Sequence, residues 1–262
     1  MSDLDVAVVI EDDTDVRNLL EGVLLQAGFV VRTAAGGREG VEMVRTISPD
    51  IITLDVGLPD IDGFEVLRRI RQFSNAYIVM LTGRSEEADL LNALQAGADD
   101  YITKPFRPRE VRARITAMMR RPRSPADRGQ PPPPSEVPAP KDSETILTHN
   151  GLSLDCRRRT ATVAGKELEL TRSEFDLLLE LLRGAGTVLS KAELVRAVRG
   201  SYYDKDTVIS ASDERAVEVH ITNLRRKLRE DPESPRWLQT VRGVGYRLAN
   251  DKPLVQPVRP GR

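Results

Sequence analysis

Along the first 121 residues, short apolar runs alternate with apolar positions at helical spacing. Val6–Ile10 is a continuous apolar run ending in acids, and Val16, Leu19, Leu20, Val23 and Leu24 then recur with helical period. Val30–Thr33 reads as a second strand, followed by a helix face at Val41, Val44 and Ile47. Ile51–Leu54 is a short buried strand, with Phe64, Leu67 and Ile70 on the helix after it. Tyr77–Leu81 and Tyr101–Thr103 are two more strands, and helices around Glu86–Ala96 and Arg109–Met119 complete the set. Five strands alternating with five helices predict an α/β unit, a doubly wound parallel sheet covered on both faces.

The pattern then stops. Pro122 to Lys141 holds eight of the chain's 17 prolines and almost no large apolar residue, so it cannot bury enough surface to fold. This reads as a semi-stiff linker over 122–144. Beyond it the periods change. Gly151–Asp155, Thr160–Ala164 and Glu167–Leu170 are short strands with a turn at Ala164-Gly165. Three helical stripes follow: Phe175, Leu178, Leu179 and Leu182; Leu194, Val195 and Val198; Val217, Ile221, Leu224 and Leu228. Leu238–Val241 and Gly245–Leu248 flank a glycine-bearing turn, the mark of a hairpin. Strands, three helices and a terminal hairpin describe an α+β winged helix-turn-helix unit over 145–250. Residues 251–262, with three prolines, read as a loose tail.

Length and composition agree with two domains: 262 residues, 40% apolar and 30% charged. No apolar run approaches a membrane span, and the acidic start lacks the basic head of a secretory signal, so a cytoplasmic location is expected. A single cysteine excludes a disulfide framework. Charge adds an asymmetry that the overall net of −1 conceals. Residues 1–121 hold 15 basic and 20 acidic side chains, whereas residues 145–262 hold 21 and 16. Only the second domain is suited to a polyanion.

In open parallel sheets, ligands bind beyond the carboxyl ends of the strands. There this chain has Glu11, Asp12 and Asp13 after strand 1, Asp55 after strand 3, Thr82 after strand 4 and Lys104 after strand 5. Taken singly, the acids are ordinary turn formers and the lysine an ordinary surface residue. Together they describe one acidic pocket with a hydroxyl and an ammonium. Clustered carboxylates resist joint ionisation, and Mg²⁺, a hard cation with oxygen ligands, relieves that repulsion. Thr82 and Lys104 suit the oxygens of a phosphoryl group, and Asp55 stands where a nucleophile would. Gly57, two residues after Asp55, lacks the second carboxylate that a haloacid-dehalogenase-type phosphatase needs. Three acids after strand 1 would repel a flavin phosphate.

Val9-Ile10-Glu11-Asp12-Asp13, Leu54-Asp55-Val56-Gly57-Leu58-Pro59, Asp62-Gly63, Leu81-Thr82-Gly83 and Tyr101-Ile102-Thr103-Lys104-Pro105-Phe106 resemble, in order, the response-regulator receiver domain, a flavodoxin-like (βα)5 fold. The resemblance implies that Asp55 accepts phosphate from a sensor histidine kinase. It implies that Glu11, Asp12, Asp55 and the carbonyl of Gly57 hold Mg²⁺, that Thr82 and Tyr101 report phosphorylation, and that the Lys104–Pro105 peptide is cis. It also implies a homodimer through the fourth helix, fifth strand and fifth helix. Leu91, Leu94 and Ala113 match its apolar patch, and Asp100 with Arg114 and Asp99 with Arg121 match its ion pairs. A third pair is missing, since Glu110 would need a basic residue where this chain has Leu90.

The third stripe of the second domain leaves Arg215, Glu218, Val219, Thr222, Asn223, Arg225, Arg226 and Arg229 on the other faces of its helix. Asn suits adenine and Arg suits guanine in the major groove. Without context these residues are a solvated charged face, but Thr240, Arg242 and Arg247 on the adjoining hairpin favour DNA. His220 lacks a metal-binding partner, since His149 is the only other histidine, so it reads as a packed residue, and Trp237 reads as core. Leu170-Thr171-Arg172-Ser173-Glu174-Phe175, Leu224-Arg225-Arg226-Lys227-Leu228 and Thr240-Val241-Arg242-Gly243-Val244-Gly245-Tyr246-Arg247 resemble the OmpR/PhoB-type winged helix. That resemblance implies a transcription factor on double-stranded DNA, with backbone or wing contacts from Arg215, Thr240 and Arg242 and groove contacts from Asn223 and Arg225; Thr222 and Arg226, on the same helix, join the expected DNA surface. The chain departs from the pattern twice. Gly200 and Arg215 are separated by 14 residues, a longer loop that puts an RNA polymerase contact in doubt, and Arg199 stands where tryptophan is common. A receiver used only for dimerisation, without phosphorylation, is the alternative reading.

Overall fold

The computed structural model describes residues 5–83, 87–119, 146–199, 209–231 and 233–250, without side-chain detail at 87–90 and 117. The proposed linker 122–144, the tail 251–262, Arg121, the side chain of Leu90 and most of the long loop lie outside the described residues.

The first domain runs β1 (Val6–Ile10), α1 (Thr14–Gln26), β2 (Val30–Ala34), α2 (Gly37–Ile47), β3 (Ile51–Asp55), α3 (Gly63–Arg71), β4 (Tyr77–Thr82), α4 (Glu87–Gln95), β5 (Asp100–Thr103) and α5 (Pro108–Met119). All strand pairs are parallel, in the order β2-β1-β3-β4-β5. β3 and β4 are buried along their whole length, because helices cover both faces. Leu20, Leu24, Val111 and Ile115 of α1 and α5 fill one side of the sheet, and Val41, Val66, Leu67 and Ile70 of α2 and α3 fill the other. The register sets Ile10 beside Leu54, Asp55 beside Leu81 and Thr82 beside Thr103, so the carboxyl ends of the central strands share one edge. The Lys104–Pro105 peptide is cis, as the resemblance implies.

The second domain opens with a four-stranded antiparallel sheet: β6 (Ile146–His149), β7 (Leu152–Asp155), β8 (Thr160–Val163) and β9 (Lys166–Leu168). Then come α6 (Arg172–Arg183), β10 (Leu189–Ser190), α7 (Lys191–Arg199), α8 (Ala211–Leu228), β11 (Leu238–Val241) and β12 (Gly245–Leu248). The hairpin residues match the sequence reading, and the turn at Ala164-Gly165 has two left-handed residues. Two strands escape the hydropathy pattern. β6 is an edge strand with alternating exposure and Ile146 facing water, and β10 is two residues long, formed only by pairing with β12. Phe175, Leu178, Leu194, Val217, Ile221, Leu224, Trp237 and Leu238 share one core, so the three helical stripes and Trp237 have the roles expected of them. α6 starts at a capping box in which Thr171 accepts from the Glu174 backbone.

A Cβ at Gly245 would stand 2.0 Å from the Leu189 carbonyl oxygen, so only glycine lets β12 lie against β10. Gly245→Ala is expected to destabilise the second domain by about 1–3 kcal/mol through overpacking. Trp237 is the chain's single tryptophan and is buried in this domain, so urea unfolding followed by its fluorescence reads the effect directly. An unshifted midpoint would contradict the close approach.

Candidate functional site

The strand ends assemble the pocket. Glu11 follows β1 and is fully buried, Asp55 ends β3 at 5% exposure, Thr82 ends β4 at 4%, and Lys104 follows β5. The Lys104 ammonium lies 2.7 Å from Asp55 Oδ1 and 2.9 Å from Glu11 Oε2, joining two carboxylates that would otherwise repel each other. Burial works against the ammonium, but hydrogen bonds to Asp55 and Glu11 outweigh it and hold its pKa above the ordinary lysine value. Burial pushes the Glu11 carboxyl above the usual glutamate value, with the charge of Asp55 adding to the rise and Lys104 opposing it. Asp55 Oδ2 accepts from the Gly57 amide at 2.9 Å, which fixes the plane of the carboxylate.

The three consecutive acids after β1 divide their work. Asp12 is exposed, and together with Glu11 and Asp55 it presents carboxylate oxygens within 4.8 Å of one another. Asp13 leaves the cluster to cap α1, accepting from Asp15 N at 2.8 Å and Val16 N at 3.1 Å, and these bonds lower its pKa. So the pocket holds three carboxylates. Glu11 Oε2 is buried and accepts no well-directed hydrogen bond despite its nearness to Lys104, an oxygen suited to a hard divalent cation. The β3–α3 loop is anchored by Asp60, which accepts from Gly37 N and Arg38 N at the start of α2. Gly63 lets α3 begin against the Asp55 carbonyl, 2.3 Å from where a Cβ would stand. Sequence reading leaves both of these supports out.

The residues expected to read DNA divide as well. Arg215, Thr222, Arg226, Thr240 and Arg242 are exposed. Arg225 instead braces the hairpin: its guanidinium donates to Leu238 O at 3.0 Å and Thr240 Oγ1 at 2.7 Å and lies over the Tyr246 ring. Asn223 is buried at 3% exposure and donates to Leu94 O, in the first domain, at 3.0 Å. His220 is packed rather than ligating, with its ring nitrogen 3.1 Å from Asp99 O.

Thus α8 lies against the receiver-like domain. Ala216 and Val219 pack on Leu94, with Leu91 and Tyr101 beside them. Of the expected dimer-face residues, Leu91 and Leu94 meet this helix, and Asp99 and Asp100 meet residues of α6, α7 and α8. Asp100 pairs with Arg114 at 3.1 Å and also with Arg199 of α7. Asp99 pairs with Arg71 at 2.6 Å and accepts from Ser173 N at 2.9 Å. Ala113 is buried, and Glu110 has Arg114 at 3.1 Å as its partner. At the far end, Tyr77 donates to Asp176 and Arg172 reaches Asp50.

Two family models match: the response regulator receiver domain over residues 7–116, and the C-terminal domain of transcriptional regulatory proteins over 165–248. The chain is 39% identical over 241 residues to the transcriptional regulatory protein AfsQ1 of Streptomyces coelicolor, covering 92% of this chain and 96% of that one. It is 39% identical over 252 residues to the alkaline phosphatase synthesis transcriptional regulatory protein PhoP of Bacillus subtilis, covering 94% and 97%. The DNA-binding response regulator MtrA of Mycolicibacterium smegmatis is 35% identical over 240 residues, covering 92% and 95%. Among solved structures, a cysteine-to-aspartate mutant of RitR superposes with a TM-score of 0.67 at 23% identity, covering 94% and 99%, which supports the fold.

Lys104→Met is expected to destabilise the first domain by about 1–3 kcal/mol, because two buried carboxylates lose their shared cation. Thermal melting followed by circular dichroism tests it, and a melt identical to wild type would show that the ammonium contributes nothing to the fold.

Proposed function

Since this chain belongs to the OmpR/PhoB-type response regulators, two-domain transcriptional regulators rather than enzymes, we propose that it is switched by phosphorylation of Asp55. The observation that carries this reading is the buried Asp55 carboxylate flanked by Glu11, Asp12, Thr82 and Lys104. The donor is a sensor histidine kinase. An Asp55 carboxylate oxygen forms a bond to phosphorus as the phosphorus–nitrogen bond of a phosphohistidine breaks, and the imidazole keeps the electron pair. Glu11, Asp12, Asp55 and the Gly57 carbonyl would hold Mg²⁺. When bound, Mg²⁺ supplies charge neutralisation for the transferring phosphoryl group. Lys104 exchanges its pairing with Asp55 for a phosphoryl oxygen, and the Thr82 hydroxyl donates to another. Tyr101, next to Asp100 on β5, carries the change to the α4–β5–α5 face.

In this reading, phosphorylated receivers pair through that face, with Leu91, Leu94 and Ala113 at its centre. Pairing brings two winged helices to adjacent DNA half-sites and raises the effective concentration of the second for its site. Arg215, Thr240 and Arg242 engage the phosphate backbone or groove edges, and Thr222, Asn223 and Arg226 face the major groove. Arg225 supports the wing and contributes to reading through it. Among the described residues no helix is long and apolar enough to cross a membrane.

Acetyl phosphate with Mg²⁺ is expected to label Asp55, as mapped by mass spectrometry of the digested protein. A label that persists in Asp55→Ala, or that forms equally with chelator present, would overturn the assignment. Arg242→Ala is expected to weaken binding to all duplexes alike and reduce the salt slope. Asn223→Ala is expected to relax preference at one base position by about 1–3 kcal/mol. Titration of a selected duplex and its single-base variants at several salt concentrations separates the two. Wild-type affinity and preference in both variants would remove α8 and the hairpin from the DNA interface.

A further inference from the structure

Away from the acidic pocket and the DNA face, a cleft of about 500 Å³ opens where the two domains meet. That volume lies within the ordinary range for small-molecule sites. Four arginines line it: Arg158 and Arg159 from the turn between β7 and β8, and Arg172 and Arg183 from the two ends of α6. The turn is held in a fixed form, because Asp155 Oδ1 accepts from the Arg157 and Arg158 amides at 2.9 Å. Arg159 takes a left-handed φ of 53° there, a conformation that bulky residues seldom adopt and that recurs at binding sites. Its guanidinium lies 4.5 Å from the centre of the Phe175 ring, and that of Arg172 lies 5.1 Å from the centre of the Tyr77 ring. Three carboxylates also reach the cleft, and each is already engaged. Asp176 pairs with Arg159 at 2.7 Å and accepts from the Tyr77 hydroxyl at 2.6 Å. Glu180 pairs with Arg183 at 2.9 Å, and Asp50 accepts from the Val6 amide at 3.0 Å and from Arg172 at 3.3 Å. Four arginines against three carboxylates leave a positive excess, and among the described residues the Arg158 side chain has no partner. The pairs of Arg159, Arg172 and Arg183 use one nitrogen each, although every guanidinium nitrogen is a donor. The lining also has an apolar part, Met118 and Met119 at the end of α5 with Leu179 and Val198 of α6 and α7.

We propose that this cleft binds a nucleotide carrying two phosphates, in its simplest form a nucleoside diphosphate. Such a ligand gives the chain a chemical input separate from Asp55. Arginine meets phosphate through paired N–H donors of fixed geometry, and here the spacing of the arginines decides for more than one phosphate. Arg172 and Arg183 are the first and last residues of α6, roughly 16 Å apart along its axis, farther than a single phosphate is shared. The carboxylates argue against a bare polyphosphate, which they would repel. They suit a ligand that also brings hydroxyl donors, such as a ribose, to the remaining lone pairs of Glu180 and Asp50. The flexible, polarisable thioethers of Met118 and Met119 suit the face of a base. A duplex does not fit a space of this size, so the basic lining is no extension of the DNA surface.

The test titrates ADP and GDP separately into the full-length protein by isothermal titration calorimetry. EDTA is present, so that no Mg²⁺ bridges phosphate to the acidic pocket. At least one of the two is expected to bind with one nucleotide per chain and a Kd below about 1 mM, the range in which cellular small molecules are recognised. The matching nucleoside monophosphate and pyrophosphate, each lacking part of that ligand, should bind about tenfold or more weakly. Arg158 and Arg183 are exposed, so Arg158→Ser and Arg183→Ser leave the core intact, which an unchanged urea midpoint of Trp237 fluorescence verifies. Each is expected to weaken the nucleotide about tenfold through loss of a charged hydrogen bond. Arg226→Ala, on the exposed face of α8, tells the cleft from the DNA surface. A loss in that variant equal to the loss in the cleft variants would put the nucleotide on the DNA face and overturn the assignment. So would the absence of saturable binding by both nucleotides, wild-type affinity in both cleft variants, or pyrophosphate held as tightly as the nucleotide. The titration contains no acyl phosphate, so its outcome is independent of whether Asp55 is ever labelled.

Discussion

Asp99 and Asp100 enter β5 side by side with 3% and 0% exposure, and a carboxylate so placed must be met by positive charge or by N–H donors. Arg71, the Ile78 amide and the Ser173 amide meet Asp99, and Arg114 and Arg199 meet Asp100. Donors thus arrive from both domains. The relation between the domains follows from this requirement. α6 presents its first-turn Ser173 amide, α7 its terminal arginine, and α8 is drawn onto α4. Apolar contact at Leu94 then completes an interface whose direction the acids set.

The opposite side of the same strand carries the second consequence of buried charge. Beyond β5, Lys104 crosses to Glu11 and Asp55. One four-residue strand therefore connects the pocket that takes the phosphoryl group in our proposal to the surface that holds the DNA-binding domain. Tyr101 lies between them. Pocket and docking surface are thus separated by only a few residues of backbone.

Much of the pocket was legible in the sequence. A polar residue directly after a fully apolar strand has one place to go in a parallel sheet, the carboxyl-end edge, so strand assignments alone bring Glu11, Asp55, Thr82 and Lys104 together. The helical stripes of the second domain were equally legible, since Val217, Ile221, Leu224 and Leu228 have a period that only one buried face explains. Asp13 was not. Its N-cap bonds and a place in the cluster demand the same residue type, and only the backbone path separates them. β10 was illegible for another reason: two residues carry no period, and pairing with β12 alone makes them a strand.

Both folds, the acidic pocket and the hairpin at Arg242-Gly243-Val244 can be read from the chain alone, and the cis Lys104–Pro105 peptide from family resemblance, because each depends on residues near one another in the chain or on strand order. Tertiary structure alone decided what Arg199, Asn223, Arg225 and His220 do. A long polar side chain on a helix reads identically from sequence whether it faces water, DNA or another domain. Asn223 is buried because α4 covers it, and Arg225 is committed to Leu238 and Thr240 because the hairpin returns beside α8. The partners of Asn223 and His220 lie more than 100 residues away in the chain, where no local pattern records them.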